Sequence, residues 1–402
     1  MRLIFVSIVV VMSLISCSKD PISTGSKQIP GSDLISTKVF DSELANINQK
    51  TSNYAFMLKA GSASQIILGK NSYGESDVLM KFDLTVDTSI SNHFTSSALI
   101  ILSAWVTMDS TYSLGSPTAP FDFSAYKITQ YNSGQYWNLG FDRDSVSLLT
   151  YDNTNQNTNL SPAVVDSTVM RFNISPNLAM SWLKAQYQVN NTTDKNLGMI
   201  LKPTSGTNKY FGFDAISTPP QLHVAFQLPS LKLDTVTFST NYILHFFTPT
   251  PNVASRPDEF YLEGSQSLRG TLFFNLPDSL KLSLFNKATL TLTYDSLSSF
   301  DGSPSSSAID VQLLADSAAR KLADSVTIFT LTRNGNQFSG DINGFVQKWI
   351  DGKVINQGLL LSLTDEMTSV ARIAICNSTN QNKDLRPRLK LYYIKKNNTN
   401  TR

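Results

Sequence analysis

The chain has 402 residues, with 33 Lys plus Arg against 31 Asp plus Glu and a formal net charge of +2. That balance excludes the electrostatic footprint of a nucleic-acid binder or of a protein held on an anionic membrane by its overall charge, and the length allows two domains joined by a linker. Charged residues make up 16% of the total, and Ser, Thr and Asn fill the polar positions instead, which suits an all-β extracellular body with hydroxyl-rich solvent faces.

Residues 1–17 read as a signal peptide. Arg2 supplies the positive start, and Leu3 to Leu14 is apolar except for Ser7 and Ser13. The run falls short of the ~20 residues that cross a bilayer. Ser16 followed by Cys17 resembles the lipobox of bacterial lipoproteins, which implies that Cys17 is acylated and anchors the mature chain in the lipid bilayer. Ser18, rather than Asp, follows the cysteine, so the cell outer membrane is the expected location, on its periplasmic or its outer face. Residues 18–38, rich in Ser, Gly, Pro and Lys, form a flexible tether.

From Val39 the texture changes to short β-branched runs bounded by Gly, Asp, Ser or Asn. Gln65 to Leu68, Val78 to Phe82 and Leu99 to Trp105 are examples, and the pattern predicts strands in a sandwich or barrel. The chain also repeats itself in order. Ile67-Leu68-Gly69 with Val78 to Leu84 matches Tyr261 to Gly264 with Gly270 to Leu276. Ser97 to Leu102 matches Lys287 to Leu292, and Ile174 to Leu183 matches Ile342 to Ile350. Asn196 to Leu201 matches Asn356 to Leu361, and Pro220 to Phe226 matches Pro387 to Tyr393. Five collinear matches predict two copies of one domain, at 39–228 and 233–395, with Leu228 to Lys232 as the hinge.

Each copy carries one helical stripe. Ile342, Phe345, Val346, Trp349 and Ile350 fall on one face, with Gly352 to close the helix. In the first copy Ser175 and Pro176 start a helix whose face carries Leu178, Ala179, Trp182 and Leu183. Both tryptophans are expected to plug one end of a sandwich.

These residues, in this order, resemble the DNRLRE domain family, which overlaps a family of carbohydrate-binding jelly-roll modules. Lys81-Phe82-Asp83-Leu84 and Pro220 to Val224 carry the resemblance in the first copy. Arg386 to Tyr393, preceded by Ile373 to Ser378, carries it in the second. The resemblance implies two tandem jelly-roll β-sandwich domains, each with one short capping helix. The first copy has Asp77 where the family has Arg, and the second has Asn275 where Asp is expected. Asp316 to Ala323 replaces the Trp-containing middle segment of the second copy and is expected to form an extra helix.

The chemistry-bearing residues are sparse. His93, His223 and His245 are the only histidines, and no pair has metal-ligand spacing. His223 alternates with Leu222 and Val224, on the polar face of a strand. No nucleophile elbow, Walker motif, Gly-x-Gly-x-x-Gly or Cys-x-x-Cys occurs. Cys376 sits in an alternating run and reads as a buried strand thiol. Asp142 and Asp144 near Trp137 are the best carboxylate pair for glycoside hydrolysis, but a solvated loop pair is the simpler reading. The same loop is the best sugar-binding candidate. Tyr131, Tyr136 and Trp137 offer faces for pyranose stacking, and Asn138, Asp142 and Arg143 offer hydrogen bonds, while the resemblance also gives Trp137 a structural position. A structural calcium would use Asp295, Asp301 and Asp310. The expectation is a non-enzymatic envelope lipoprotein without a cofactor or a nucleic-acid partner, binding polysaccharide at the surface. The alternative is a structural or adhesive envelope protein that binds protein and has no sugar site.

Overall fold

The structure is a computed structural model that describes residues 37–56, 63–95, 99–131, 149–159, 163–164, 168–187, 195–251, 255–265 and 268–395. The signal peptide and nearly all of the tether lie outside them. Two large sheets dominate, each curling into a sandwich-like unit. The expected all-β, jelly-roll-like class is what the chain forms.

The first unit holds β3 (Gln65–Asn71), β4 (Gly74–Phe82), β5 (Ile100–Leu114), β6 (Phe123–Tyr131), β7 (Leu149–Tyr151), β8 (Ala163–Val164), β9 (Val169–Ile174), β10 (Met199–Pro203), β11 (Lys209–Asp214), β12 (Gln221–Gln227) and β13 (Leu233–Pro249). They run in the order β13-β12-β5-β11-β3-β4-β10-β6-β7, and β13 also closes back on β4. The second unit holds β14 (Glu259–Glu263), β15 (Leu268–Phe274), β16 (Ser283–Phe300), β17 (Ala308–Asp316), β18 (Lys321–Leu322), β19 (Phe329–Asn334), β20 (Gln337–Asp341), β21 (Leu359–Leu363), β22 (Arg372–Cys376) and β23 (Arg388–Lys395). To these it adds β1 (Lys38–Asp41) and β2 (Gln49–Ala55), in the order β1-β23-β16-β20-β19-β17-β21-β15-β2.

The pairing moves the expected domain boundaries. Val39 sits opposite Tyr392 and Thr51 opposite Leu272, so the segment that opens the first copy completes the second unit. The segment that opens the second copy does the converse. Val236 sits opposite Val224, and Leu244 opposite Leu79. The two copies have exchanged their opening strands. Leu228 to Lys232 is therefore the tight turn of the β12–β13 hairpin, closed by Leu228 N–H to Lys232 O at 2.9 Å, rather than a hinge between units.

Both cores follow from period-2 burial. In β9 and β12 every second residue is buried, and Met170, Phe172, Ile174, Leu222, Val224 and Phe226 face inward. Phe274, Leu290, Phe338, Leu389 and Leu391 do the same in the second unit. The Leu run of β21 is buried on both faces, because outward Leu360 packs with Tyr54 and Leu314 while its neighbours Leu359 and Leu361 fill the core. Helices α1 (Thr88–Thr95) and α2 (Pro176–Tyr187) belong to the first unit and α3 (Asn343–Ile350) to the second. The first unit thus has one helix more than expected. Trp182 is fully buried on α2, and Trp349 nearly so on α3. Gly352, at φ 69°, donates to Trp349 O and ends α3.

Four of the five sequence matches coincide with the strand registers, and one is corrected. Ala104 is opposite Val224 as Ala288 is opposite Leu391, so Ala288 corresponds to Ala104 and the matched segment lies six residues beyond Ser97 to Leu102. Asp316 to Ala323 forms a turn and β18 rather than a helix. The Asp316 carboxylate accepts from Ala318 N and Ala319 N at 2.9 Å, which is turn chemistry. Between the units lies an apolar seam of Ile67, Tyr112, Leu114, Tyr210 and Phe247 with Val370. His245 and Ser265 meet across it at 3.1 Å, and Ser265 donates to Ser369 O at 2.8 Å.

Candidate binding clefts

Among the described residues each unit has a cleft beside the corresponding Asn-x-Gly loop. Each cleft is bounded by the end of β15 or β4, by the strand donated from the other half, and by an Asn-x-Gly loop. That loop is built identically in both. Asn196 Nδ2 donates to Phe82 O at 2.8 Å while its Oδ1 accepts from Gly198 N at 3.0 Å. Asn356 repeats this with Phe274 O at 2.8 Å and Gly358 N at 3.1 Å. Gly358 has φ 91°, and a Cβ there would lie 2.7 Å from Leu272 O, so only glycine fits the turn.

The second-unit cleft encloses about 540 Å³ and is lined by Lys50, Thr51, Ser52, Thr271, Leu272, Phe273, Ser317, Asn356 and Gln357. Ser52 Oγ and Thr271 Oγ1 share a hydrogen bond of 2.6 Å, and Ser317 Oγ donates to Gln357 Oε1 at 2.9 Å. None of the nine residues is acidic or a histidine. The cleft therefore supplies hydroxyls, amides, one ammonium and one aromatic side chain, but no general acid or base. The first-unit cleft encloses about 360 Å³, with Lys81, Asp83, Lys195, Asn196, Asn241 and Gln186 among its lining. Its one carboxylate, Asp83, accepts from Thr85 N at 3.2 Å and Thr85 Oγ1 at 2.6 Å. Burial holds the Lys81 ammonium below its usual pKa.

A second feature lies on the outer face of the first unit. Trp105, on β5, stands between Arg171 of β9 and His223 of β12. The guanidinium lies 4.3 Å from the indole centroid, and the imidazole stacks at 5.2 Å and 11°. Thr107 and Thr237 hold the two imidazole nitrogens at 2.9 and 3.0 Å. Burial, and then the Arg171 charge, push the His223 pKa down, so the ring is neutral at pH 7. His223 thus occupies the polar strand face expected of it. The two groups come from the strands that flank β5 on either side.

Of the expected sugar-binding residues, Tyr131 ends β6, while Tyr136, Trp137, Asp142 and Arg143 lie outside the described residues, as do Asn138, Asp144 and Cys17. The three aspartates considered for calcium each have their own partners. Asp301 pairs with Arg333 at 2.6 Å, Asp310 accepts from Thr330 and Thr364 at 3.0 Å, and Asp295 faces Arg256 at 3.4 Å. Among the described residues no group of three or more His, Cys, Asp and Glu side chains is arranged to hold a metal ion. Two buried acidic side chains with raised pKa face cations. Asp77 is raised by burial but ion-paired to Lys202, and Glu263, pushed up to about 7 by burial, faces Arg372 at 3.3 Å. Cys376 is buried, and burial with the nearby Asp295 and Glu259 pushes its thiol to about 11, which makes it inert.

Sequence reasoning missed both clefts, because the donated strands that wall them pair across the two halves. The outer stack was within reach, since alternation along β5 puts Trp105 opposite in face to buried Ala104 and Val106.

No protein-family model matches the chain, and no curated protein does. Among solved structures the chain is similar to that of the Macrobrachium rosenbergii nodavirus at 10% identity, covering 90% of this chain and 98% of that one, with a TM-score of 0.12. A likeness of that size carries no argument about fold or function.

Proposed function

We propose that the protein is a non-enzymatic, lipid-anchored envelope protein that binds polysaccharide through both clefts, and that it is a diverged, two-copy relative of the DNRLRE domains. The observation that carries this reading is the recurrence of the cleft. A ligand that repeats along its own length is matched by a chain that repeats its site, and two weak sites on one body give avidity without further contacts. The linings agree with this chemistry. Hydroxyls and amides of Thr51, Ser52, Thr271, Gln357, Asn241 and Gln186 suit sugar hydroxyls, and Phe273 offers an apolar side chain. Neither lining holds a carboxylate pair, which favours binding over hydrolysis.

The test is retention on a panel of immobilised polysaccharides. Lys50→Ala with Gln357→Ala impairs the second-unit cleft, and Asn241→Ala with Lys195→Ala impairs the first. Each pair is expected to weaken retention on one glycan about tenfold, and all four together to abolish it. Retention unchanged in the fourfold variant would overturn the cleft assignment. Failure of the folded wild type to bind any glycan would leave the protein-binding, structural role as the better reading.

A further inference from the structure

We infer that one end of the second unit is a lipid-contacting rim that seats the body on an anionic membrane surface. The inference rests on the lipid-anchor reading above and assigns that anchored body an orientation. At this end Leu282 is 59% exposed, Leu284 47% and Val39 54%. Leu282 has φ 61°, a left-handed conformation that favours Gly or Asn, so the tip of the turn holds an apolar side chain in water at a backbone cost as well. Three exposed apolar side chains gathered at one end make a candidate contact patch.

Two observations say what meets it. The first is where the chain enters the fold. Lys38 pairs with Tyr393, and Ser283 with Lys395, so β1, the end of β23 and the start of β16 share one edge of the molecule. Cys17 and the tether that follows it precede the described fold and therefore join it beside Leu282 and Leu284. A tether attached here holds this rim nearest the membrane. The second is charge. Lys38, Lys287 and Lys395 are exposed around the rim, as is Lys281, which pairs with the exposed Asp278 at 2.9 Å. Apolar tips ringed by lysine fit the boundary between acyl chains and anionic headgroups.

The corresponding end of the first unit also exposes apolar residues, with Leu231 at φ 65° and Leu233 beside Ile100 across β12. That rim lacks the entry of the chain, so it serves as the internal control.

Every described strand and helix lies between Lys38 and Lys395, so cutting the tether at a protease site placed within residues 20–35 removes no element. The released body is mixed with vesicles of phosphatidylcholine containing a quarter phosphatidylglycerol, or with phosphatidylcholine alone, and floated on a density gradient. The expected result is flotation with the anionic vesicles, a bound fraction about tenfold lower for Leu282→Ser with Leu284→Ser, and a change within about twofold for Leu231→Ser with Leu233→Ser. Thermal melts of both variants check that they fold. A folded wild-type body that does not float overturns the inference. So does equal loss in the control variant, or a dimer in solution that the Leu282 and Leu284 substitutions dissolve. The mass of Cys17 in the full chain is read separately, so an unmodified cysteine defeats the anchor reading without touching the vesicle result.

Discussion

The first unit carries Trp105, Arg171 and His223 on its outer face. At the corresponding registers the second unit carries Thr289, Ser339 and Lys390. One layer further in, the two units agree. Ala104 and Ala288 both lie against the core, Trp182 and Trp349 plug corresponding ends, and both Asn-x-Gly loops make the same pair of hydrogen bonds. Inward positions are held by packing and turn geometry, and those constraints are the same in both units. Outward positions are free of them, and there the units have diverged. The first gains a planar stack and an extra helix, and the second gains the larger cleft and the rim where the chain enters.

The largest expected effect comes from breaking the exchange. Removing residues 37–55 takes β1 from β23 and β2 from β15, and with them Phe40 and Ile47, which pack on the second core, and the paired contacts of Asp41 with Arg388 at 2.6 and 3.0 Å. The second unit is expected to lose on the order of 5 kcal/mol or more. The first unit keeps β13 and should melt near its original temperature. Calorimetry should resolve two transitions, of which only one has moved. A single unshifted transition would mean that the donated strands are not needed. Trp182→Ala should cost about 3–5 kcal/mol, and Trp349→Ala, whose side chain is 8% exposed, rather less. Both indole nitrogens are buried without a hydrogen-bond partner, so the Phe variants should each stay within about 1.5 kcal/mol of wild type in denaturant melts.

Much of this fold was legible because its determinants are local. Alternation located β12 and β22, the apolar stripe located α3, and Pro176 located the start of α2. The exchange was not legible, because pairing between Val39 and Tyr392 spans nearly the whole chain and leaves no local mark. The six-residue shift has another cause. The run from Ala98 to Trp105 offers two alanines, each preceding an apolar alternation, and only the register against β12 chooses Ala104. Both clefts inherit the invisibility of the exchange, since Lys50 and Asn241 arrive on donated strands.

The seam between the units offers a comparison in pH. His245, on the strand donated to the first unit, is fully buried, and burial pushes its pKa down to about 4. Its native pKa lies below the unfolded value of 6.5, so its contribution to stability is whole above pH 6.5 and is lost as pH falls toward 4. Glu263, in the second unit, has its pKa raised to about 7 by burial, with Arg372 opposing. Its contribution is whole below the unfolded value of 4.5 and is lost as pH rises through 7. Each is worth about 3 kcal/mol, with opposite signs, so the wild type should vary little between pH 7 and 4.5 on their account. Glu263→Gln should make stability fall more steeply with acid than in the wild type, in which Asp77 is also raised to about 7. His245→Phe should make it rise with acid. Parallel pH profiles for the two variants would show that these groups do not titrate as their burial requires.

The smallest expected effect separates the outer stack from the clefts. Trp105→Thr installs the residue that the second unit has at this register. It removes the contact with Arg171 at 4.3 Å and the stack with His223, while the strand keeps its backbone pairing with β12 and β9. The side chain is half-buried and the contacts are partly hydrated, so the loss should be about 1 kcal/mol in denaturant melts. His223 is less crowded without the indole but still sits beside Arg171 and between Thr107 and Thr237, so its pKa should recover only part of the way toward 6.5, as read by NMR titration. If the clefts carry glycan binding, Trp105→Thr leaves retention on the matched polysaccharide unchanged. Retention lost in Trp105→Thr and kept in the fourfold cleft variant would move the binding site to the stack. In that case the divergence of the outer faces, rather than the recurrence of the clefts, would mark where the ligand sits.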